Sequence, residues 1–168
     1  MKCILRKYDP EDAKTICRWL TSETGVFEWS ADRIGRFPPG ADDINAHHEH
    51  TMRTERFMPY SYVKEDGSLA GHIAIRFPDE NDLTSARLGF VIIDPALRGC
   101  GIGRRMVEDA AEHAASELGA KKVDLSVYTR NIRAVRCYEA AGFRQAGEPG
   151  IHALPPGDWE YIIMEKFF

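Results

Sequence analysis

The run Val91-Ile92-Ile93-Asp94-Pro95-Ala96-Leu97-Arg98-Gly99-Cys100-Gly101-Ile102-Gly103-Arg104-Arg105 constrains this chain more than any other segment. Leu88, Phe90 and Ile92 alternate with Val91 and Ile93, so both faces of a strand over 84–93 become apolar towards its end. Such a strand end must be covered on both sides. Asp94-Pro95 stops it, and three alternating glycines lead into a helix over about 102–118. Ile102, Met106, Ala110, Ala114 and Leu118 recur every four residues, and Gly119 closes the helix. Glycines let backbone N–H groups turn towards a bound group and let that group come close. The first helical turn adds unpaired N–H donors and a partial positive charge. With Arg98, Arg104 and Arg105 in the same few residues, the segment reads as a pyrophosphate cradle.

Two common phosphate motifs are excluded. A P-loop requires Lys and then Ser or Thr after its second glycine, and none follows here. A dinucleotide fingerprint requires a small third residue. Counting from Gly99 that position is Arg104, and from Gly101 it is Met106.

The rest of the chain supplies the elements around this segment. Residues 2–8 read as a strand, and Asp9-Pro10-Glu11-Asp12 reads as the start of a helix with Ile16, Trp19 and Leu20 on its apolar stripe. Residues 25–42 give no clear pattern, and a second helix is expected across roughly 43–55. Phe57–Lys64 and Leu69–Phe77 read as a hairpin closed by Asp66-Gly67. Val123, Leu125 and Val127 alternate as a strand, and a helix from Asn131 to Gly142 carries Ala134, Val135 and Tyr138. Glu160–Phe168 is the expected last strand, with one more near 144–147. The order predicts one mixed α/β (α+β) domain over 1–168 with no internal boundary.

Composition narrows the class. The 168 residues carry 22 Lys+Arg against 26 Asp+Glu, a net charge of −4 that argues against general nucleic-acid binding. No apolar run approaches the roughly 20 residues of a membrane span, and the first residues are too charged for a signal peptide. A cytoplasmic protein without a membrane partner is the expectation. Cys3, Cys17, Cys100 and Cys137 match neither a metal knuckle nor a disulfide framework, so reduced thiols are expected.

The residues Arg98-Gly99-Cys100-Gly101-Ile102-Gly103 resemble the acetyl-CoA motif Arg/Gln-x-x-Gly-x-Gly/Ala of the GCN5-related N-acetyltransferase (GNAT) family. Downstream, Asn131, Ala134, Tyr138, Glu139, Gly142 and Phe143 resemble that family's Asn…Ala…Tyr-Glu-x-x-Gly-Phe signature. The resemblance covers roughly residues 60–145. It implies a central mixed sheet of six to seven strands flanked by about four helices. It also implies that acetyl-CoA is the cosubstrate, without a metal. The strand end Val91-Ile92-Ile93 would pair with the pantetheine arm through its backbone. Arg98, Gly99, Cys100, Gly101, Ile102, Gly103 and Arg104 would hold the pyrophosphate, mainly through N–H groups. Asn131 would contact the cofactor arm, and Tyr138 would be the general acid for the leaving thiolate. The acceptor would be a small-molecule or protein amine, and a homodimer is common in the family. The alternatives are a non-catalytic acyl-CoA sensor and an acyltransferase using a longer acyl-CoA.

The general base stays unassigned. Some family members carry a glutamate where Arg87 stands, and a guanidinium cannot deprotonate an amine. Glu28, His72, Asp79 and Glu80 are the candidates, His72 being expected as a half-exposed sheet residue. Arg87 reads as a surface cation or ion-pair partner, or as a clamp for a substrate carboxylate. His47, His48 and His50 lack the His-Glu-x-x-His spacing of a zinc site and read as a solvated helix face. Trp29, Phe37 and Trp159 fit core packing or an acceptor pocket. Cys100 reads as a spacer.

Overall fold

The computed structural model describes residues 1–168 as one seven-stranded sheet with helices on both faces. The strands are β1 (Cys3–Lys7), β2 (Arg56–Lys64), β3 (Leu69–Phe77), β4 (Ser85–Ile93), β5 (Lys122–Tyr128), β6 (Arg144–Leu154) and β7 (Gly157–Phe167). The helices are α1 (Asp12–Trp19), α2 (Glu23–Ser30), α3 (Ala41–Thr54), α4 (Ile102–Ser116) and α5 (Ile132–Ala140). Five helices are therefore present where about four were expected. The spatial order is β1-β2-β3-β4-β5-β7-β6. All neighbours are antiparallel except β4 and β5. No helix is long and apolar enough to cross a membrane.

Two apolar clusters lie on opposite faces of the sheet. One joins α4 and α5 to the sheet through Ile102, Met106, Ala110, Ala114 and Tyr138, packed with Ile73, Ile75, Leu88 and Leu125. The other joins α1, α2 and α3 through Ile16, Trp29 and Ile44, packed with Phe57, Ala74, Phe90 and Ile92. Leu88 and Phe90 thus face opposite ways, although simple alternation places both on one side. The cause is a bulge. Between the pairs Ala74↔Gly89 and His72↔Ile92, β3 advances two residues and β4 advances three. The extra residue resets the alternation, and Phe90 takes a left-handed φ of 51° to make it. Past the bulge, Val91 and Ile93 pack towards the α4 face while Phe90 and Ile92 enter the α1–α3 face.

Several boundaries move for local reasons. α1 starts at Asp12 instead of Pro10, because the Asp9 carboxylate accepts from Glu11 N at 2.9 Å and folds Asp9–Glu11 into a turn. The unpatterned stretch contains α2, capped by Ser22, whose hydroxyl accepts from Gly25 N at 3.0 Å. β6 runs to Leu154 well past residue 147, with an irregularity between Ala146 and Gly150, and β7 begins at Gly157. At Gly150 a Cβ would come within 2.6 Å of the Tyr161 ring, so that rung needs a residue without one.

Candidate active site

The two parallel strands β4 and β5 pair over only four rungs, Ser85↔Lys122 to Leu88↔Leu125. The next residues of β4, Gly89–Ile93, meet no strand on the β5 side. A cleft of about 450 Å³ opens where the strands part. Val91 and Gly89 line one wall, Ser126 and Tyr128 another, and Tyr138 of α5 also reaches it. Trp29, His47, Thr51 and Phe57 line the side given by α2, α3 and β2.

The glycine loop sits beyond the end of β4. A single 3-10 turn, Pro95–Leu97, follows Asp94, whose carboxylate accepts from Ala96 N at 2.9 Å. Gly99 and Gly101 both hold positive φ, 80° and 77°, and nothing lies within 4 Å of where their Cβ atoms would stand. The first bond closing α4 runs from Arg105 N to the Gly101 carbonyl at 3.1 Å. The amides of Gly101, Ile102, Gly103 and Arg104 precede it, so they lack intrahelical acceptors. Four free donors at a helix start, beside open space, fit a pyrophosphate.

The side chains of this loop behave less uniformly. The Ile102 side chain is 3% exposed and belongs to the core, so only its amide is available. Ile92 likewise sends its side chain into the α1–α3 cluster. Gly103 has no positive φ, and its absent Cβ faces Ile93 Cγ1 at 3.4 Å and Cys137 Sγ at 3.5 Å. Those are ordinary contact distances, so neither backbone torsion nor packing in the protein itself requires glycine there. Arg104 is drawn along its own helix to Glu108 at 2.7 Å, and Arg105 reaches the Met1 carbonyl at 2.8 Å. Arg98 and Cys100 are exposed, and Arg98 makes no ion pair. Of the three cationic side chains, Arg98 alone stays uncommitted.

Tyr138 is 7% exposed, and burial, with the Cys137 thiol beside it, pushes its phenol well above the usual range. It keeps its proton throughout the neutral range, as a proton donor must. Asn131 caps α5, its side-chain oxygen accepting from Ala134 N at 3.2 Å. That cap orients the helix that carries Tyr138.

The remaining candidates separate clearly. Arg87 is an ion-pair partner, not a free surface cation. It pairs with Asp124 on the facing rung through two contacts of 2.6 and 3.2 Å. Glu28 lines the cleft, and burial raises its carboxyl despite the opposing pull of Arg130 and Arg98. Asp79 and Glu80 lie in an exposed turn outside the cleft. Trp29 lines the cleft, Trp159 packs with Phe27 and Leu154, and Phe37 is 43% exposed. Two of the histidine readings are overturned, while His50 is exposed. His72 is fully buried, and His48, on the supposed solvated face, is 1% exposed. His48 shares the inner face of α3 with Ile44 and Thr51, at spacings of four and three residues, and meets a ring on a strand 24 residues away. Their ring nitrogens meet in pairs and do not converge on one point, and no grouping of His, Cys, Asp or Glu could hold a metal ion.

A sheet broken open between two parallel strands, with a glycine-rich helix start at the opening, is the GNAT architecture. Spermidine N-acetyltransferase from Vibrio cholerae, solved with CoA and spermine, superimposes with a TM-score of 0.80. That match covers 98% of this chain and 95% of the other at 18% identity. The acetyltransferase (GNAT) family model matches residues 15–143, and the chain belongs to that family. Among sequence relatives, spermine/spermidine N(1)-acetyltransferase of Bacillus subtilis (strain 168) is 31% identical over 72 residues. That stretch is 43% of this chain and 47% of the relative, so the chain spans about half the length of that relative. Aminoglycoside N(6')-acetyltransferase type 1 of Klebsiella pneumoniae is 23% identical over 170 residues, covering 96% of this chain and 82% of the relative.

Proposed function

We propose that the protein is an N-acetyltransferase that moves an acetyl group from acetyl-CoA to a primary amine by direct transfer. The observation that carries this reading is Tyr138 lining the cleft that opens where β4 and β5 part. Acetyl-CoA, when bound, supplies an activated thioester. The amides of Gly101 to Arg104 and the uncommitted Arg98 would hold its pyrophosphate. The unpaired backbone of Val91 and Ile93 would hold its pantetheine arm as an added strand. Backbone N–H groups at the bulge would stabilise the developing oxyanion. Tyr138 would hold a proton at its phenol oxygen and give it to the departing sulfur. The apolar walls Trp29, Phe57 and Phe90 would exclude water from the amine side.

The acceptor is a proposal of class only. The relatives act, by their names, on spermine, spermidine and aminoglycosides, so polyamines and aminoglycosides belong in the first trial. The cleft also carries Arg33, Arg76 and Arg87 against Glu28 and Glu55, a lining that also suits an amine bearing a carboxylate. The test is a panel of these three acceptor types, with thiol release as the readout and acetyl-CoA alone as the blank. Thiol release above the blank with one of them supports transfer. CoA binding without release from any amine identifies a non-catalytic acyl-CoA module. Release with a longer acyl-CoA but not with acetyl-CoA reassigns the donor.

A further inference from the structure

No carboxylate stands at the Arg87 position, yet a proton must leave the attacking nitrogen. Beneath the amine side of the cleft, three histidines form a chain. His47 and His48 are consecutive on α3, and His72 lies on β3. His47 lines the cleft, while His48 and His72 are enclosed. His47 Nδ1 lies 3.2 Å from His48 Nδ1, and His48 Nε2 lies 3.1 Å from His72 Nε2. Tyr8, Trp29, Phe57 and Phe90 surround the His48 and His72 rings, so water cannot substitute for the contact between them. Burial drives His48 down to about 2 and His72 down to about 4, so both are neutral at neutral pH.

Three neutral imidazoles carry three protons in all. Each of the two ring–ring contacts takes one. The third must therefore sit at one end of the chain, on His72 Nδ1 or on His47 Nε2. The two ends are not equivalent. His72 Nδ1 is buried with no partner at hydrogen-bonding distance, donor or acceptor, and the Tyr60 backbone acts on the ring in the sense that favours its protonated form. Neither form is hydrogen-bonded there, so the Tyr60 backbone decides: a group that favours the protonated ring repels a bare nitrogen and attracts an N–H. His47 Nε2 lies 3.5 Å from Thr51 Oγ1, too far for a good N–H···O bond. Thr51 uses its own proton on the His47 carbonyl at 2.8 Å. At the cleft end a bare nitrogen can instead accept from water or an amine. The third proton therefore belongs on His72 Nδ1, and the chain leaves a lone pair on His47 Nε2.

We propose that His47 is the proton acceptor of the acetyl transfer, its Nε2 lone pair presented to the cleft by the buried His48–His72 pair. This rests on the acetyltransferase reading above. The attacking nitrogen forms the C–N bond with its lone pair and loses its proton to His47 Nε2. The C–S bond breaks, its electron pair goes to sulfur, and sulfur takes the Tyr138 proton. Solvent later exchanges the proton gained by His47 for the one lost by Tyr138. His47 touches the reacting nitrogen, whereas His48 and His72 are positioning residues. The charged and titratable groups around His47 are Arg33 after α2, Glu55 after α3, and His48 and His50 on α3 itself. Burial first, then Arg33 and His50, hold its pKa below the usual histidine value, and Glu55 opposes them. Phe57 and Phe90 bring only uncharged rings. His47 is therefore a free base at neutral pH.

The direct test is nitrogen NMR of the full chain labelled with 15N-histidine, with no ligand added. The expected spectrum has His47 protonated on Nδ1 and bare on Nε2, and His72 protonated on Nδ1. A proton on His47 Nε2 overturns the proposal, and this reading needs no variant to fold. Kinetics then use the acceptor found in the amine panel. His47→Gln is expected to lower kcat by roughly 10²-fold or more, without changing KM for acetyl-CoA. It should also abolish an acid limb lying below about pH 6.5. His72→Leu should lower kcat and move that limb while KM stays put. A limb that survives His47→Gln, or that disappears in Glu28→Gln instead, overturns the assignment. A wild-type protein that turns over no amine fails the acetyltransferase reading and the proposal with it. The spectra still show which part failed.

Discussion

Replacing Arg87 by Met removes a guanidinium while keeping an unbranched apolar stem. The partner left behind is Asp124, whose side chain is 8% exposed, against 29% for Arg87. The nearest remaining cation is Lys122, whose Nζ lies 3.9 Å from Asp124 Oδ2. A fully exposed pair would be worth at most about 1 kcal/mol. Breaking a fully buried pair costs about 3–5 kcal/mol, most of it from the stranded charge. With one partner enclosed and the other about a third exposed, we expect a loss of about 2–3 kcal/mol. For a domain of this size, each kcal/mol lowers Tm by about 2–4 °C, so a fall of about 4–12 °C follows. The assay is urea unfolding of wild type, Arg87→Met, Asp124→Leu and the double variant, read as a thermodynamic cycle. The double variant should recover at least half of the Arg87→Met loss, because no enclosed charge is left stranded and Lys122 is a third exposed. An Arg87→Met variant within about 0.5 kcal/mol of wild type would refute the stranded-carboxylate argument. Unchanged stability with a raised KM for a carboxylate-bearing acceptor would return Arg87 to the role of substrate clamp.

Three further outcomes are expected. Tyr138→Phe should lower turnover roughly 10²–10⁴-fold with CoA affinity nearly unchanged, measured by single-turnover kinetics and calorimetry. Undiminished turnover would show that the hydroxyl is dispensable. Gly101→Ala should cost about 1–2 kcal/mol, because a Cβ is added at φ 77°, and should weaken CoA binding by turning the helix-start amides away. A variant that is less stable but binds CoA as wild type would separate the strain from the cradle. Finally, acid should destabilise the fold through His48 and His72. Their folded pKa values lie below the unfolded value of about 6.5, so the unfolded chain takes up protons first as pH falls. The stability they confer is complete above about pH 6.5. It falls by about 1.4 kcal/mol per pH unit for each histidine, down to about pH 4 for His72 and about pH 2 for His48. Chemical denaturation at pH 7, 6 and 5 reads this slope, and a flat profile between pH 6.5 and 5 would contradict it.

What the sequence made legible was local chemistry. Asp66-Gly67 closes its hairpin with Gly67 at φ 81°, and the four-residue apolar repeat of α4 buries Met106, Ala110 and Ala114 completely. The glycine loop was readable because positive φ and missing side chains are written directly in residue type. What stayed hidden depends on contacts between distant segments. The contact of His48 with His72 joins α3 to β3 across 24 residues. The bulge at Phe90 is invisible because Gly89-Phe90-Val91 alternates as well as any regular strand. α2 carries Val26 and Trp29 one turn apart in one apolar cluster and Phe27 in another, so its apolar residues form no single stripe. Arg87 and Asp124 are 37 residues apart, and only the strand register makes them neighbours.

The four-rung seam between β4 and β5 has a mechanical consequence. It is the line along which β1–β4 and β5–β7 are joined within the sheet, and α4 and α5 bridge the two parts on one face. Beyond Leu88 and Leu125 the backbone of each part is an internal edge with its hydrogen-bonding groups unspent. Within the sheet the two blocks are held together by these four rungs alone. Any ligand that lies along the gap acts as a clasp across it. Amide exchange along Gly89–Ile93 and Ser126–Tyr128 should be fast for residues so central in a sheet, and should slow together when the gap is filled. Ligand binding and cohesion of the two blocks then become a single equilibrium, and the melting temperature rises with ligand concentration by mass action.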